Sequence, residues 1–219
     1  MKNNLTELVF ILDRSGSMGG LESDTIGGFN SMLKKQQAEP GECRITTILF
    51  DDKYETLHDR IDIAAVAPMT AEQYFVRGST ALLDAVGKTI EKISNAQKNT
   101  AEDYRAQKVL FVITTDGMEN SSREFGYEKI KAAIESQKTE YGWEFIFLGA
   151  NIDAVDVANR IGIAKNRAQT FHNDAAGIAA NYEALSETMS LMRAAPSMEL
   201  GISDDWGKKI KADFKSRKK

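Results

Sequence analysis

The stretch Glu7-Leu-Val-Phe-Ile-Leu-Asp-Arg-Ser-Gly-Ser17 decides the fold. Its five consecutive apolar side chains, Leu8 to Leu12, leave no polar face, as in a strand covered by other elements on both sides. The run is too short to cross a membrane. It stops on Asp13 and passes into the polar loop Arg14-Ser-Gly-Ser17. Two later stretches repeat the form. Val109-Leu-Phe-Val-Ile-Thr114 leads to Asp116-Gly117, and Trp143-Glu-Phe-Ile-Phe-Leu148 is equally apolar. Arg44-Ile-Thr-Thr-Ile-Leu-Phe50 is a β-branched strand, and after the turn Asp51-Asp52-Lys53 the segment Tyr54–Ile61 pairs back on it as a hairpin. Ala168-Gln-Thr-Phe171 reads as a short edge strand.

Helical spacing fills the intervals. Residues 21–37 place Ile26, Phe29, Met32 and Leu33 on one face, and Glu39-Pro-Gly41 stops them. A long helix runs from Thr80 to about Gln97 with Leu82, Leu83, Val86, Ile90 and Ile93 in register. Further helices fall at 126–138, 153–161 and 174–194, the last alanine-rich and ending before Pro196. Apolar strands alternating with helices specify an α/β fold around a largely parallel sheet. A single sheet accounts for all of them, so residues 1–195 read as one domain and 196–219 as a basic C-terminal tail.

Charge is unevenly spread. Residues 207–219 carry seven Lys/Arg and only Asp213 as an acid, whereas the remaining 206 residues have a net charge of −10. An acidic body argues against nucleic acid as the main partner, and the tail reads as a solvated terminus. The single cysteine, Cys43, rules out an intramolecular disulfide and heads an apolar run, so a buried free thiol is expected. With no secretory signal and no membrane span in the sequence, the expected setting is the cytoplasm.

Three polar clusters follow strands or head a helix: Asp13-Arg-Ser-Gly-Ser17, Gly78-Ser-Thr80 and Asp116-Gly117. In open α/β sheets such loops converge above the carboxyl ends of the strands. Their side chains suit a hard cation that prefers six oxygens, Mg²⁺ first, with Mn²⁺ or Ca²⁺ as alternatives. Asp13, Ser15 and Ser17 alternate, so one short loop can wrap three oxygens around an ion, with Gly16 easing the curve. Thr80 and Asp116 add oxygens from the other loops. Two carboxylates among neutral hydroxyls leave a cation electrophilic, which favours an incoming carboxylate. The bland alternatives are helix caps for Asp13–Ser17 and Thr80 and a plain turn at Asp116.

These segments resemble the metal-ion-dependent adhesion site of von Willebrand factor A domains: Phe10-Ile-Leu-Asp-Arg-Ser-Gly-Ser-Met18, then Arg77-Gly-Ser-Thr-Ala-Leu-Leu-Asp-Ala85, then Ile113-Thr-Thr-Asp-Gly-Met118. The resemblance spans about residues 5–190 and is strongest to small intracellular members from bacteria and phages. It implies a Rossmann-like three-layer sandwich, with a mostly parallel six-stranded sheet, Tyr54–Ile61 as its antiparallel edge strand, and helices on both faces. It also implies coordination by Ser15 and Ser17, with Thr80, Asp13 and Asp116 bound directly or through water. The shell is completed by an Asp or Glu of a partner protein. Arg14, Met18, Tyr74 and Glu119 surround the expected ion and are candidates for touching that partner.

Rival motifs fail at named positions. Gly87-Lys-Thr89 ends like a phosphate-binding loop, but position 82 is leucine where that loop needs glycine. Asp13 as a phosphatase nucleophile lacks a second carboxylate two residues on, where Ser15 stands. His58 and His172 are isolated and read as structural. Asp51 or Asp52 is a candidate for supporting the ion's ligands, a turn role being the simpler reading. The competing function is a Mg²⁺-dependent enzyme acting on a phosphoryl or similar oxyanion, which would need a base or phosphate cradle beside the ion.

Overall fold

The computed structural model describes residues 4–198 and 201–217. Six strands form one sheet: β1 (Thr6–Asp13), β2 (Cys43–Phe50), β3 (Tyr54–Asp62), β4 (Lys108–Thr115), β5 (Glu144–Ala150) and β6 (Ala168–Phe171). Their spatial order is β3-β2-β1-β4-β5-β6. Every neighbouring pair is parallel except β2 with β3. The chain thus winds outward from β1 in one direction and then returns to build the other half from β4. The switch of direction lies between β1 and β4, where Leu12 pairs with Thr114. Loops leaving those two strands part there and open a crevice.

Side-chain alternation along β1 sorts the core into two layers. Leu8, Phe10 and Leu12 face α1 (Glu22–Ala38) and α5 (Ala175–Ala194), packing with Phe29, Met32, Leu33, Leu185 and Met189. Val9 and Ile11 face the other way, among Leu82, Val86, Ile90 and Ile93 of α2 (Leu82–Lys98). Ile130 and Ile134 of α3 (Tyr127–Tyr141) and Ala154 and Ala158 of α4 (Ala154–Arg160) complete that layer. The expected three-layer α/β architecture, with its antiparallel edge strand, is what the chain adopts.

The C-terminal segment departs from expectation. Met198, Ile202, Trp206 and Ile210 are buried in the same core layer as Phe10 and Phe29. A helix, α6 (Lys208–Ser216), packs on α5 and β6, and the Trp206 indole donates to the carbonyl of Asn166 at 2.7 Å. Lys208, Lys209, Lys211 and Lys215 point outward. The basic charge is therefore the solvated face of an amphipathic helix, not a free tail. Burial of four apolar side chains, each contributing roughly 1.5–3 kcal/mol, holds it down. Lys218 and Lys219 lie outside the described residues.

Cys43 is a buried free thiol, as expected, with burial pushing its pKa up to about 12. Among the described residues, no helix is long and apolar enough to cross a membrane.

Candidate metal centre

The crevice between β1 and β4 is floored by Asp13, whose side chain is buried. One of its carboxylate oxygens accepts the backbone N–H of Ser15 at 2.7 Å, and the other accepts the hydroxyl of Thr115 at 2.6 Å. The Tyr74 hydroxyl donates to the Asp13 carbonyl at 2.6 Å. Burial raises the Asp13 pKa above the usual carboxylate value, opposed by the bonds from Ser15 and Thr115 and reinforced by the charge of Asp116.

A single 3-10 turn, Gly16–Met18, follows Ser15. It drives Met18 into the core and turns the two serine hydroxyls toward each other at 3.1 Å. Gly16 needs no special backbone here. The glycine that does is Gly78, at φ +63, whose carbonyl accepts the N–H of Gly16. A Cβ on Gly78 would sit 2.1 Å from an oxygen of Asp52, so only glycine allows this loop to close on the first.

Thr80 lies just before α2, whose cap position is Ala81. Its side chain is therefore not spent on capping. The Thr80 N–H bonds the side-chain oxygen of Asn120 at 3.0 Å, and its carbonyl accepts the Asn120 N–H at 3.1 Å. That clamp aims the Thr80 hydroxyl at Ser15 Oγ, 3.0 Å away. Asp116, also buried, accepts the Ser17 hydroxyl at 2.5 Å on one oxygen and the Asn173 amide at 2.9 Å on the other. Burial raises its pKa too, against the bonds from Ser17 and Asn173.

Ser15, Ser17, Thr80 and Asp116 thus bring four oxygens together through contacts of 2.5–3.1 Å. Oxygens held cis on an octahedral Mg²⁺ at about 2.1 Å would be roughly 3.0 Å apart. The Ser15–Ser17 and Ser15–Thr80 contacts match that spacing, and hydroxyl and carboxylate oxygens are the donors such an ion takes. Gly117 keeps the space clear, because a Cβ there would lie 3.2 Å from Ser17 Oγ and 3.3 Å from Thr80 Oγ1. Among the described residues, no cluster of three or more His, Cys, Asp or Glu side chains is poised for a metal. A cation here would depend on hydroxyls, with Asp13 and Asp116 as its carboxylates.

Of the four candidate partner contacts, three are turned into the protein and Glu119 is half-buried. Met18, Tyr74 and Arg14 are buried, at 3%, 1% and 0% exposure. The Arg14 guanidinium turns away from the oxygens to pair with Asp51 at 3.0 Å and Glu55 at 2.5 Å. Glu119 spends its carboxylate on the N–H of Leu83 at the head of α2 and on those of Ser121 and Ser122. The large apolar side chains exposed in these loops are instead Met118, next to Gly117, and Phe75, which lies 5.4 Å from Arg14 and 5.3 Å from Arg77.

Asp51 does more than make a turn. Its carboxylate holds Arg14, Arg77 at 2.6 Å and the Lys53 N–H, while its carbonyl accepts the Ala81 N–H. One buried acid therefore ties the Asp13–Ser17 loop to the Arg77–Ala81 loop. Burial alone would raise its pKa, but the bonds from Arg77 and Lys53 and the two guanidinium charges hold it below the ordinary value. His58 bonds Thr47 Oγ1 and His172 bonds the carbonyl of Phe214, so both are structural as expected.

The sequence gives Thr115 and Asn173 no role, and Asn120 enters it only in the extension Glu119-Asn120 that follows Asp-Gly in the resemblance. Thr115 and Asn120 lie inside or beside the Thr-Thr-Asp-Gly segment, and adjacency could have flagged them. Asn173 is 57 positions from Asp116 and carried no signal at all.

No family profile matches the sequence, and no curated protein matches it. Solved structures do. Proximal thread matrix protein 1 of the mussel byssus, in a structure described with a zinc-occupied MIDAS motif, superposes with a TM-score of 0.57 at 14% identity, over 85% of this chain and 48% of that one. VWA2 of Sulfolobus acidocaldarius gives 0.54 at 19% identity, over 85% and 45%. The vWF domain of the pilus tip protein Mfa5 from Porphyromonas gingivalis gives 0.58 at 13% identity, over 88% and 97%. The chain spans about half the length of the first two of these. At such identities the likeness establishes the fold, that of von Willebrand factor A domains.

Proposed function

We propose that the protein is a divalent-cation-dependent protein-interaction module. Asp13, Ser15, Ser17, Thr80 and Asp116 hold Mg²⁺, or Mn²⁺ or Ca²⁺ in its place, and a partner's Asp or Glu completes the shell. The observation that carries this reading is that three loops bring three hydroxyls and one carboxylate together through contacts of 2.5–3.1 Å, with Ser17 among them exposed to solvent. Asp13 already spends both oxygens on Ser15 and Thr115. With Asp13 engaged in this way, the inner shell is mostly neutral hydroxyl oxygens, which leaves a bound cation room for an incoming carboxylate. Catalysis on an oxyanion would ask for a base beside the ion, and the two histidines are committed to Thr47 and Phe214.

Calorimetric titration of metal-free protein with MgCl₂ and MnCl₂ tests the first half. Saturable one-site binding is expected for the wild type and none for Asp13→Ala. Co-precipitation from native lysate, with both proteins in Mg²⁺ and in chelator, tests the second. A partner retained equally in all four conditions would refute a metal-bridged mechanism.

A further inference from the structure

We propose that the loop His172–Asp174, between β6 and α5, is a fourth loop of the metal centre, and that α6 sets its position and hence the affinity for the cation. This rests on the metal-binding reading above. The Asn173 amide donates to Asp116, and its buried side-chain oxygen meets no hydrogen-bond partner among the described residues. Asn173 is thus oriented by one bond, to the carboxylate that a cation would need, and its position depends on whatever holds its neighbours.

The C-terminal helix holds both. The His172 ring stacks on Phe214 at 4.5 Å between centroids, and its Nε2 bonds the Phe214 carbonyl at 3.0 Å. Asp174 caps α5 with one oxygen on the Gly177 N–H at 2.9 Å, and its other oxygen accepts the Arg217 guanidinium at 2.5 Å. Arg217 is itself fixed by Asp213 within α6. The His172 carbonyl also packs directly on the first turn of α5, where a Cβ at Gly177 would meet it at 2.0 Å. The helix is in turn anchored by the buried side chains of Ile210 and Trp206, whereas Lys209 only pairs at the surface with Glu183 and Glu187 of α5. A line of direct contacts runs from Arg217 to Asp174, along the backbone to Asn173, and on to Asp116.

In this arrangement Arg217 is a positioning residue that acts through Asn173. Groups that orient metal ligands typically change affinity by 10–100-fold when removed, so Asn173→Ala is expected to weaken Mg²⁺ binding about tenfold and Arg217→Gln about threefold. The test is calorimetric titration of the full chain with MgCl₂ for wild type, Arg217→Gln, Asn173→Ala, the double variant, and Lys209→Gln. Lys209→Gln also removes ion pairs between α6 and α5 but does not touch the loop, so it should melt like Arg217→Gln without metal and bind Mg²⁺ like wild type. The double variant should bind no more weakly than Asn173→Ala alone, a non-additivity that general destabilisation does not produce. Faster hydrogen exchange at the Gly177 amide of metal-free Arg217→Gln is a second expected sign. Absence of Mg²⁺ binding in the wild type would bring down the metal-centre reading itself. Wild-type binding with an unchanged Arg217→Gln, or fully additive losses in the double variant, would overturn the role given to α6.

Discussion

Asp116→Asn is expected to stabilise the metal-free protein near neutral pH while abolishing its response to Mg²⁺. Asp116 is 2% exposed, and burial holds its carboxyl above the ordinary range. A carboxyl whose pKa is higher folded than unfolded binds more protons in the native state. Its contribution to stability is therefore fully present below the unfolded value and lost as pH rises through the folded one. Near neutral pH the metal-free fold bears the whole cost of that buried charge, with the like charge of Asp13 beside it. Asparagine is isosteric. It can still accept from Asn173 and can donate to Ser17, so the charge goes without a cavity. Relief at a functional site of this kind is worth about 1 kcal/mol, or roughly 2–4 °C in Tm for a domain of this size. Mg²⁺ at a hundred times its Kd adds about 2.7 kcal/mol to the wild type, roughly 5–11 °C, and nothing to the variant. The order of stabilities should thus invert between chelator and Mg²⁺. Thermal melts at about pH 7.5 and 4.5, each with EDTA or MgCl₂, read this directly, and the chelator gap should narrow at the lower pH. A variant less stable than wild type in chelator at the higher pH would refute the buried-charge argument. A variant that still gains stability from Mg²⁺ would refute the role of Asp116.

Three further outcomes follow from the packing. Trp206→Ala should destabilise by about 3–5 kcal/mol in urea denaturation, the cost of emptying a buried aromatic site; a change under about 0.5 kcal/mol, the level of an exposed position, would mean the C-terminal segment is not part of the core. Asp51→Ala leaves the buried Arg14 guanidinium with only the half-exposed Glu55 as counter-charge and should cost about 3–5 kcal/mol, with weaker Mg²⁺ binding because two ligand loops lose their tie. Cys43, whose thiol is buried and pushed up to about 12, should resist an aromatic disulfide reagent at mildly alkaline pH until urea unfolds the chain, and rapid labelling of native protein would contradict that placement.

Much of this protein was legible in the order of its residues. Leu8–Leu12 and Val109–Ile113 declare buried parallel strands because an unbroken apolar run needs cover on both faces. Where such strands end, the polar loops with Asp13, Ser15, Ser17 and Asp116 stand out, since position along a strand end is local information. The short edge strand Ala168–Phe171 was also recoverable to the residue. Side-chain direction is not local. Arg14 and Met18 sit beside the oxygens in sequence, yet one turns to the buried carboxylate of Asp51 and the other is carried into the interior by the 3-10 turn Gly16–Met18. Composition also misled at the C-terminus. Seven cations in thirteen residues suggested a solvated tail, but charge count says nothing about which face of a helix carries it, and Trp206 and Ile210 are on the other one. The bond from Asn173 to Asp116 lies wholly beyond sequence reading. It exists only because β6 and β4 flank β5 in the sheet, so the loops that leave them reach the same crevice although 57 residues separate the two side chains.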